Sequence, residues 1–235
     1  MPLFSNWLQI DSGYLNQLIT SGLVLHLDAG TTTSYPGTGS MWYDLSTSNK
    51  TGTLVNNPTY SSTGGGCINF SSSSSQAGRV PDLGTIPRYT VNTWFKIKNN
   101  PTSGTLTAIF TNTYNITPIN FTIGYINNST TISGGFYSSS RWYATSGMTP
   151  VLNRWYNVCI SYDNTTLKMY VDGTLFSSLA TTATASSSGL GYDIGKRWDY
   201  SEYLDGSISM ISVYNRVLSD TEILQNYNQI KTRYF

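Results

Sequence analysis

The strongest constraint on the fold is a strict two-residue alternation of apolar and polar side chains in the stretch LKMYVDGTLFSS, residues 167–178. Alternation at this period buries one face of a β-strand and leaves the other face in water. Asp172-Gly173, in the middle of the stretch, supplies the positive φ angles that a two-residue hairpin turn needs. The stretch therefore predicts an antiparallel β-hairpin.

Similar signals recur along the chain from residue 22 onward. Clusters of Gly, Pro, Asn and Ser separate short strand-like runs, and no helices alternate with these strands. This order is typical of an all-β, two-sheet antiparallel sandwich. At 235 residues the chain has the length of a single large all-β domain. The runs are LVLHLD, TVNTWFKI, TLTAIF, INFTIGYI, YNVCISYD and SISMISVY.

The N-terminal segment, residues 1–21, has a different pattern. Its apolar residues are spaced three and four apart, which predicts one or two short amphipathic helices broken near Gly13. An exposed apolar helical face needs a cover, so the segment is either a cap on the sandwich or a docking segment for a partner protein. The apolar residues are Trp7, Leu8, Ile10, Tyr14, Leu15, Leu18 and Ile19.

The C-terminal end also changes period. Ser219 and Glu222 form a capping-box pattern, in which the hydroxyl and the carboxylate satisfy free amides of the first helical turn. We expect a short helix from about Asp220 to Tyr227 that buries Ile223 and Leu224.

The composition restricts the kinds of partner. Charged residues make up only 11% of the chain, and 13 basic against 12 acidic side chains give a net charge of +1. This balance offers no electrostatic attraction for nucleic acid or anionic lipid, so we expect neither partner. The first residues lack a basic stretch followed by an apolar one, and no run approaches about 20 apolar residues, so we expect no signal peptide and no membrane insertion.

The residues that usually carry chemistry are scarce. Cys67 and Cys159 are too few for a disulfide framework or a thiolate metal site, and we expect both to be buried thiols. His26 is the only histidine and lies within a strand, where a structural hydrogen bond is the usual role. No Gly-x-Ser-x-Gly elbow, phosphate loop or zinc spacing is present. We therefore expect a protein that is not an enzyme.

Four stretches, taken in order, resemble one known family. They are GLVLHLDAG with SYPGTGSMWYDLS, then YTVNTWFKI, then NRWYNVCISYDNTTLKMYVDGTL, and last IGKRWDYSEYLDGSISMISVYNRVLSDTEI. Together they are similar to the laminin-G-like branch of the concanavalin A-like lectin/glucanase superfamily, over about residues 22–227. The resemblance implies a jelly roll of two curved antiparallel sheets, with the hairpin of residues 167–178 in the middle of one sheet.

The resemblance also bears on domain organisation and location. It implies a jelly-roll domain over residues 22–235, preceded by the N-terminal docking or capping segment of residues 1–21. The opening stretch is similar to modules of structural proteins in tailed bacteriophages and large viruses. A virion protein released by cell lysis needs no export signal, which fits an extracellular type of surface without a signal peptide; an extracellular protein is the alternative location.

Glucanases of the resembled superfamily place acidic residues two apart on one strand, and retaining hydrolysis needs carboxyl groups about 5–5.5 Å apart. This chain has two glutamates, Glu202 and Glu222, and no Glu-x-Asp-x-Glu pattern. Glu222 is explained by the helix cap. Asp199 and Glu202 share a predicted loop, where a catalytic pair is conceivable, so a glycoside hydrolase stays an alternative.

Aromatic rings are the main candidates for a binding site. Sugars stack their C–H faces on such rings while polar side chains hold the hydroxyls. Trp42, Trp94 and Trp155 fall in stretches that the resemblance assigns to packing. The remaining rings and polar groups lie in RWY (141–143) and in the loop KRWDYSEY (196–203). The candidate glycan-binding residues are Arg197, Trp198, Asp199, Tyr200, Tyr203 and Trp142.

Calcium is the candidate cofactor, because laminin-G-like and related jelly rolls often hold this ion with Asp carboxylates and backbone carbonyls. Asp28, Asp44 and Asp205 fall at or near turns in the matching stretches and are the candidate ligands. No contiguous calcium-binding loop motif accompanies them.

Three functions follow from these observations. The first is a non-enzymatic virion decoration or surface-attachment protein, with the N-terminal segment docked to other assembly proteins and host-cell glycans as candidate ligands. The second is a free-standing carbohydrate-binding lectin, and the third is a glycosidase. The sequence is also compatible with a homo-oligomer.

Overall fold

The structure is a computed structural model that describes residues 17–101, 107–112, 119–126, 129–197 and 202–235. This part of the chain is mostly β-structure with one α-helix. The elements are β1 (Leu23–Asp28), β2 (Met41–Trp42), β3 (Gly52–Val55), β4 (Thr59–Ser61), β5 (Cys67–Phe70), β6 (Ala77–Val80), β7 (Tyr89–Ile97), β8 (Ala108–Asn112), β9 (Ile119–Tyr125), β10 (Ile132–Ser138), β11 (Arg141–Ala144), β12 (Trp155–Tyr162), β13 (Thr166–Val171), β14 (Thr174–Ala180), β15 (Tyr192–Ile194), β16 (Lys196–Arg197), β17 (Glu202–Tyr203), β18 (Gly206–Tyr214) and α1 (Asp220–Ile230).

The strands form two stacked antiparallel sheets and one small hairpin. Sheet A has the order β14-β13-β12-β7-β18-β5-β4, and β1 also pairs with β18. Sheet B has the order β11-β10-β9-β8-β15-β6-β3-β2, and β16 pairs only with β17. The predicted all-β, two-sheet antiparallel jelly roll with a short C-terminal helix is therefore confirmed.

The core between the sheets is aromatic and aliphatic. Fully buried rings from both sheets meet there, including Tyr89 on β7 and Phe121 on β9, whose ring centroids lie 5.2 Å apart. Trp42 is also buried in this core, as predicted. The fold is stabilised mainly by this apolar burial, because each large side chain removed from water contributes about 1.5–3 kcal/mol.

The hairpin of residues 167–178 forms as its sequence predicts. β13 and β14 pair antiparallel, and Asp172 and Gly173 have φ angles of 50° and 78°. Its expected position in the middle of a sheet is wrong, however, because β14 is the edge strand of sheet A. Leu175 and Phe176 on β14 are consequently about half exposed. Alternation within a strand reports which face is buried and carries no information on how many neighbours the strand has.

The C-terminal helix also follows its sequence. Ser219 accepts a hydrogen bond from the Glu222 amide, and the Glu222 carboxylate accepts one from the Ser219 amide, so the capping box is present. The helix buries Ile223, as expected, but Leu224 is 44% exposed and its predicted burial is wrong. The helix continues to Ile230, which packs against Trp94 of sheet A.

The N-terminal helical segment was predicted over residues that lie mostly outside the described part of the chain. Residues 17–22 are described and are not helical. The Ile19 amide donates to Asn226 Oδ1 on α1 at 2.9 Å, and Gln225 Nε2 donates to the Gln17 carbonyl at 2.8 Å. The end of the segment that is described therefore packs against the C-terminal helix.

Candidate functional site

A row of residues crosses the outer face of sheet B, the face turned away from the core. Directly opposed residues in antiparallel strands point to the same side of a sheet, and the alternate residues Leu54, Ile194 and Phe110 are in the core. Neighbouring strands lie about 4.8 Å apart, so the row extends over roughly 29 Å. Its members, in order across the sheet, are Thr53, Arg79, Asp193, Thr111, Thr122, Gly135 and Ala144.

The middle of this row is the floor of a groove. Asp193, Thr111 and Thr122 are buried, and Arg79 Nε lies 3.4 Å from Asp193 Oδ1. The Thr111 and Thr122 hydroxyl oxygens are 2.6 Å apart. Polar side chains on the outside of a sheet that are nevertheless shielded from solvent indicate that other groups stand over them. We call this floor and the residues around it the polar groove.

Two aromatic rings form one wall of the polar groove. Trp142 on β11 pairs with Tyr137 on β10, and their rings meet edge to face at 5.4 Å and 72°. Both are half-buried. Trp142 lines a small depression together with Thr111, Thr122 and Arg197. The structure thus brings together two glycan-binding candidates, Trp142 and Arg197, that are 55 positions apart in the sequence.

The other wall is the small hairpin of β16 and β17. Gly195, with a φ of 67°, turns the chain out of the central strand β15, and its amide donates to the Ile109 carbonyl at 2.9 Å. Across the hairpin Lys196 pairs with Tyr203 and Arg197 with Glu202. The Lys196 ammonium lies 5.1 Å from the centre of the Tyr203 ring. Tyr203 and Arg197, both predicted binding residues, therefore lie on a hairpin rooted in the middle of sheet B.

Three depressions surround this hairpin. The first adjoins Trp142; the second, of about 160 Å³, lies between Tyr203 and strands β3 and β6. The third, of about 330 Å³, lies between Tyr203, Glu202, Asp205 and the residues that follow β7. Tyr203 lines the second and third, and Thr107 lines the first and third. The candidates Trp198, Asp199 and Tyr200 lie outside the described residues.

The candidate calcium ligands Asp28 and Asp44 already have several protein donors. Asp44 accepts hydrogen bonds from the amides of His26, Ser46 and Lys50 at 2.8–2.9 Å. Asp28 binds Arg233 Nη1 at 2.7 Å. A cation here would have to displace these donors and face the guanidinium, which does not favour a calcium site.

Asp205 lies in a different environment from the other two candidates. It borders the 330 Å³ depression and accepts a hydrogen bond from Asn99 Nδ2. Over the described ranges no three His, Cys, Asp or Glu side chains come close enough to share a metal ion. Calcium binding stays a prediction, and the contacts of Asp28, Asp44 and Asp205 do not support it.

The histidine and the two cysteines are the remaining candidates for chemistry, and all three are buried. His26 Nδ1 lies 2.9 Å from Ser212 Oγ, and burial lowers the pKa of this imidazole. Cys67 and Cys159 are buried free thiols, and burial raises the pKa of each. Trp94 and Trp155 are buried, as predicted for packing residues.

The polar row itself is what sequence reasoning missed. Its polar members come from five strands, β3, β6, β15, β8 and β9, and only the register between strands places them side by side. A single polar residue in each of the strands GTLV, AGRV and YDI would have been the available signal, but it is too short in each strand to be recognised alone.

A two-sheet antiparallel jelly roll with a polar groove on one outer face defines a domain of the concanavalin A-like class. Residues 71–224, more than half of the chain, match the family model of the concanavalin A-like lectin/glucanases superfamily in its laminin G form. The chain belongs to this family.

Solved structures share the fold at low sequence identity. Domain 4 of AbnA, an extracellular arabinanase from Geobacillus stearothermophilus in complex with arabinotriose, is 18% identical with a TM-score of 0.69, over 89% of this chain and 100% of that domain. The binding domain of Botulinum Neurotoxin DC in complex with SialylT is 14% identical with a TM-score of 0.71, over 90% of this chain. Trypanosoma rangeli sialidase is 17% identical with a TM-score of 0.64, over 91% of this chain.

This chain spans 52% of the neurotoxin domain and 34% of the sialidase. No curated protein matches the sequence significantly. In the part of the chain that the structure describes, no helix has the length and apolarity needed to cross a membrane.

Proposed function

We propose that the protein is a non-catalytic glycan-binding module whose contact surface is the polar groove of sheet B. The observation that carries this proposal is the registered row of polar residues with rings on both sides of it. Trp142 stands at one side and Tyr203 at the other, with Arg197 and Lys196 on the hairpin between the depressions.

The proposed chemistry is that of sugar recognition. Aromatic rings present flat apolar platforms to the C–H faces of a sugar, and neighbouring polar groups bind its hydroxyls. The half-buried groups on the walls, such as Trp142 and Tyr203, are the ones a ligand reaches first. The buried floor, including Asp193 and Thr122, is held together by the Arg79–Asp193 ion pair and the Thr111–Thr122 hydrogen bond. The fold shared with an arabinanase domain in complex with arabinotriose and a toxin binding domain in complex with SialylT supports this proposal.

The test is binding of the purified protein to a glycan array. We expect Trp142→Ala and Tyr203→Ala each to weaken binding to the best glycan at least tenfold, because each removes a stacking platform, while the melting temperature stays within a few degrees. Phe176→Ala, which removes a half-exposed ring from the edge of sheet A, is the matched control and should bind normally. A wild-type protein that binds no glycan, or equal losses in all three variants, contradicts the proposal.

The module is proposed to be non-catalytic because the carboxylates near the groove have other contacts. Asp193 forms an ion pair with Arg79, and Glu202 lies opposite Arg197 on the hairpin. The rival is a glycosidase that uses Glu202. Release of reducing sugar by the wild type that disappears in Glu202→Gln would establish the rival.

For the biological setting we propose a virion or surface assembly, with the N-terminal segment docked to another component; an extracellular lectin is the alternative. Support comes from the apolar side chains at helical spacing in residues 1–16, which precede the packed residues Gln17 and Ile19. Deletion of residues 1–16 spares the contacts of Gln17 and Ile19 with α1. We expect the shortened protein to fold and to be absent from purified particles that contain the full-length chain. Normal incorporation would refute docking.

A further inference from the structure

Residues 231–235 lie in a groove on the outer face of sheet A, on the opposite side of the molecule's core from the polar groove. After α1 the chain makes a 3-10 turn over Lys231–Arg233 and ends its described path with Tyr234 and Phe235. The Tyr234 and Phe235 amides both donate to the Lys231 carbonyl, at 3.0 and 3.2 Å. These contacts give the five residues, which we call the C-terminal tail, a compact shape.

The first anchor of the tail is Arg233. Its Nη1 lies 2.7 Å from Asp28 Oδ1 and 2.9 Å from Asp28 Oδ2. The Asp28 side chain is only 3% exposed, and its oxygens also accept from the Gly30 amide and the Thr31 hydroxyl. A buried carboxylate that loses its cation is strongly destabilised, so the pocket selects a positively charged side chain.

Glycines build the space for this arginine. A Cβ on Gly65 would lie 2.5 Å from Arg233 Cβ, whereas a Cβ on Gly30 would first meet the Gly65 carbonyl oxygen, at 2.1 Å, and then Arg233 Nη1, at 2.8 Å. Atoms cannot approach so closely, so Gly65 tolerates no side chain while Arg233 is in place, and Gly30 tolerates none because the Gly65 backbone lies against it. Gly65 also has a φ of 74°, which favours glycine. The slot therefore fits the arginine closely on the side of Gly65.

The second anchor is Tyr234. Its ring stacks on Trp94 with centroids 4.4 Å apart and contacts Trp155 at 4.7 Å. Its hydroxyl hydrogen-bonds with the Ser209 hydroxyl at 2.6 Å. Two indole rings and one hydroxyl thus form a slot for a ring that carries its own hydroxyl. Arg233 and Tyr234 are adjacent in sequence, and their two slots are adjacent in the groove.

We propose that this groove is a peptide-binding site selective for an arginine followed by a tyrosine, and that the chain's own tail occupies it. The recognition uses a charge-assisted hydrogen bond at one slot and ring stacking plus a hydroxyl at the other. Tethering raises the effective concentration of the tail to about the millimolar range, so the tail excludes weaker peptides in trans. The site is distinct from the glycan-binding surface proposed above and does not depend on it.

The test uses the full-length chain with Arg233→Ala and Tyr234→Ala together, which empties both slots and keeps α1 intact. The probe is the synthetic peptide Lys-Thr-Arg-Tyr-Phe, with binding followed by tryptophan fluorescence and by chemical shifts of Trp94 and Trp155. We expect saturable binding that is at least tenfold tighter to the double variant than to the wild type. A peptide with Ala in place of Arg should bind at least tenfold more weakly than the original.

Asp28→Asn in the double variant provides the specific control. If Asp28 binds the arginine of the peptide, the Arg-to-Ala change in the peptide should have little further effect on affinity in this background. The effects of the two changes on affinity are then not additive. Tyr234→Ala alone is the second protein to test, should the double variant fail to fold. A folded variant that binds the original and a scrambled peptide equally overturns the proposal.

Discussion

The outer faces of the two sheets have opposite characters. Sheet A is covered by α1, by the end of the N-terminal segment and by the C-terminal tail, which bury Trp94, Met210 and Ile223. Sheet B carries no such layer over its described residues and has the polar groove and the small hairpin of β16 and β17. The comparison teaches that the chain's own C-terminal residues cover much of one outer face, whereas the other outer face is polar and carries no helix over its described residues.

The comparison can first be tested by removing one aromatic ring from each outer face. Trp94→Ala should lower the free energy of unfolding by about 3–5 kcal/mol, because a fully buried ring leaves a cavity and two unstacked tyrosines. Trp142→Ala, on the polar groove, should lower it by less than about 1 kcal/mol. Urea unfolding followed by far-UV circular dichroism gives both values. Equal losses would mean that sheet B's face is also a structural one.

Acidification should have a smaller effect on stability, through Glu222 in the helix that covers sheet A. The hydrogen bond and ion pair with Arg216 lower the pKa of Glu222 to about 2, from 4.5. Its contribution to stability is therefore complete above pH 4.5 and is lost as the pH falls from 4.5 toward 2. After allowance for solvent screening we expect about 1–2 kcal/mol. The measurement is the free energy of unfolding across this pH range in the wild type and in Glu222→Gln.

In Glu222→Gln the loss of stability between pH 4.5 and 2 should be smaller than in the wild type. Ser219→Ala removes the hydroxyl of the same cap and leaves the carboxylate, so it serves as the control that keeps the pH dependence. Identical pH profiles in the wild type and Glu222→Gln would contradict the assignment.

We expect the smallest effect from His26, which lies on the outer face of sheet A. Burial lowers the pKa of His26 below 6.5, while Asp28 and Asp44 raise it and so offset part of that shift. Because the pKa of His26 is lower in the folded protein than in the unfolded chain, the unfolded chain binds a proton at higher pH. The contribution of His26 to stability is therefore complete above pH 6.5 and decreases as the pH falls below it. In His26→Gln the melting temperature should change less between pH 7 and pH 5 than it does in the wild type. A melting temperature that rises on acidification would reverse the assigned sign.

The local features of the fold could be predicted from the sequence because each is encoded by neighbouring residues. The Asp172-Gly173 turn and the Ser219–Glu222 capping box are examples, and both are confirmed. The edge position of β14 could not be predicted, since it depends on which distant strand pairs with which. The exposure of Leu224 depends on how far α1 is rotated on the sheet, which helical spacing alone does not fix.

The candidate site was predictable to a smaller extent. Ring-rich stretches identified Trp142, Arg197 and Tyr203, and the structure places the first two at one depression. The polar row needed the register of five strands, which no single stretch contains. Asp28 and Asp44 were predicted as calcium ligands from their positions near turns, but a turn position does not reveal that backbone amides or a distant arginine already occupy the oxygens.

The hairpin of β16 and β17 leaves the central strand of sheet B at Gly195 and returns at Leu204, whose amide donates to the Gly195 carbonyl. Its entry and exit are thus joined at one point, and its described residues, Lys196–Arg197 and Glu202–Tyr203, pair with each other outside the two large sheets. A change of length or chemistry in this hairpin should therefore leave the strand order of the two large sheets unaltered. The ligand preference of the proposed glycan-binding surface could in this way change independently of the framework that carries it.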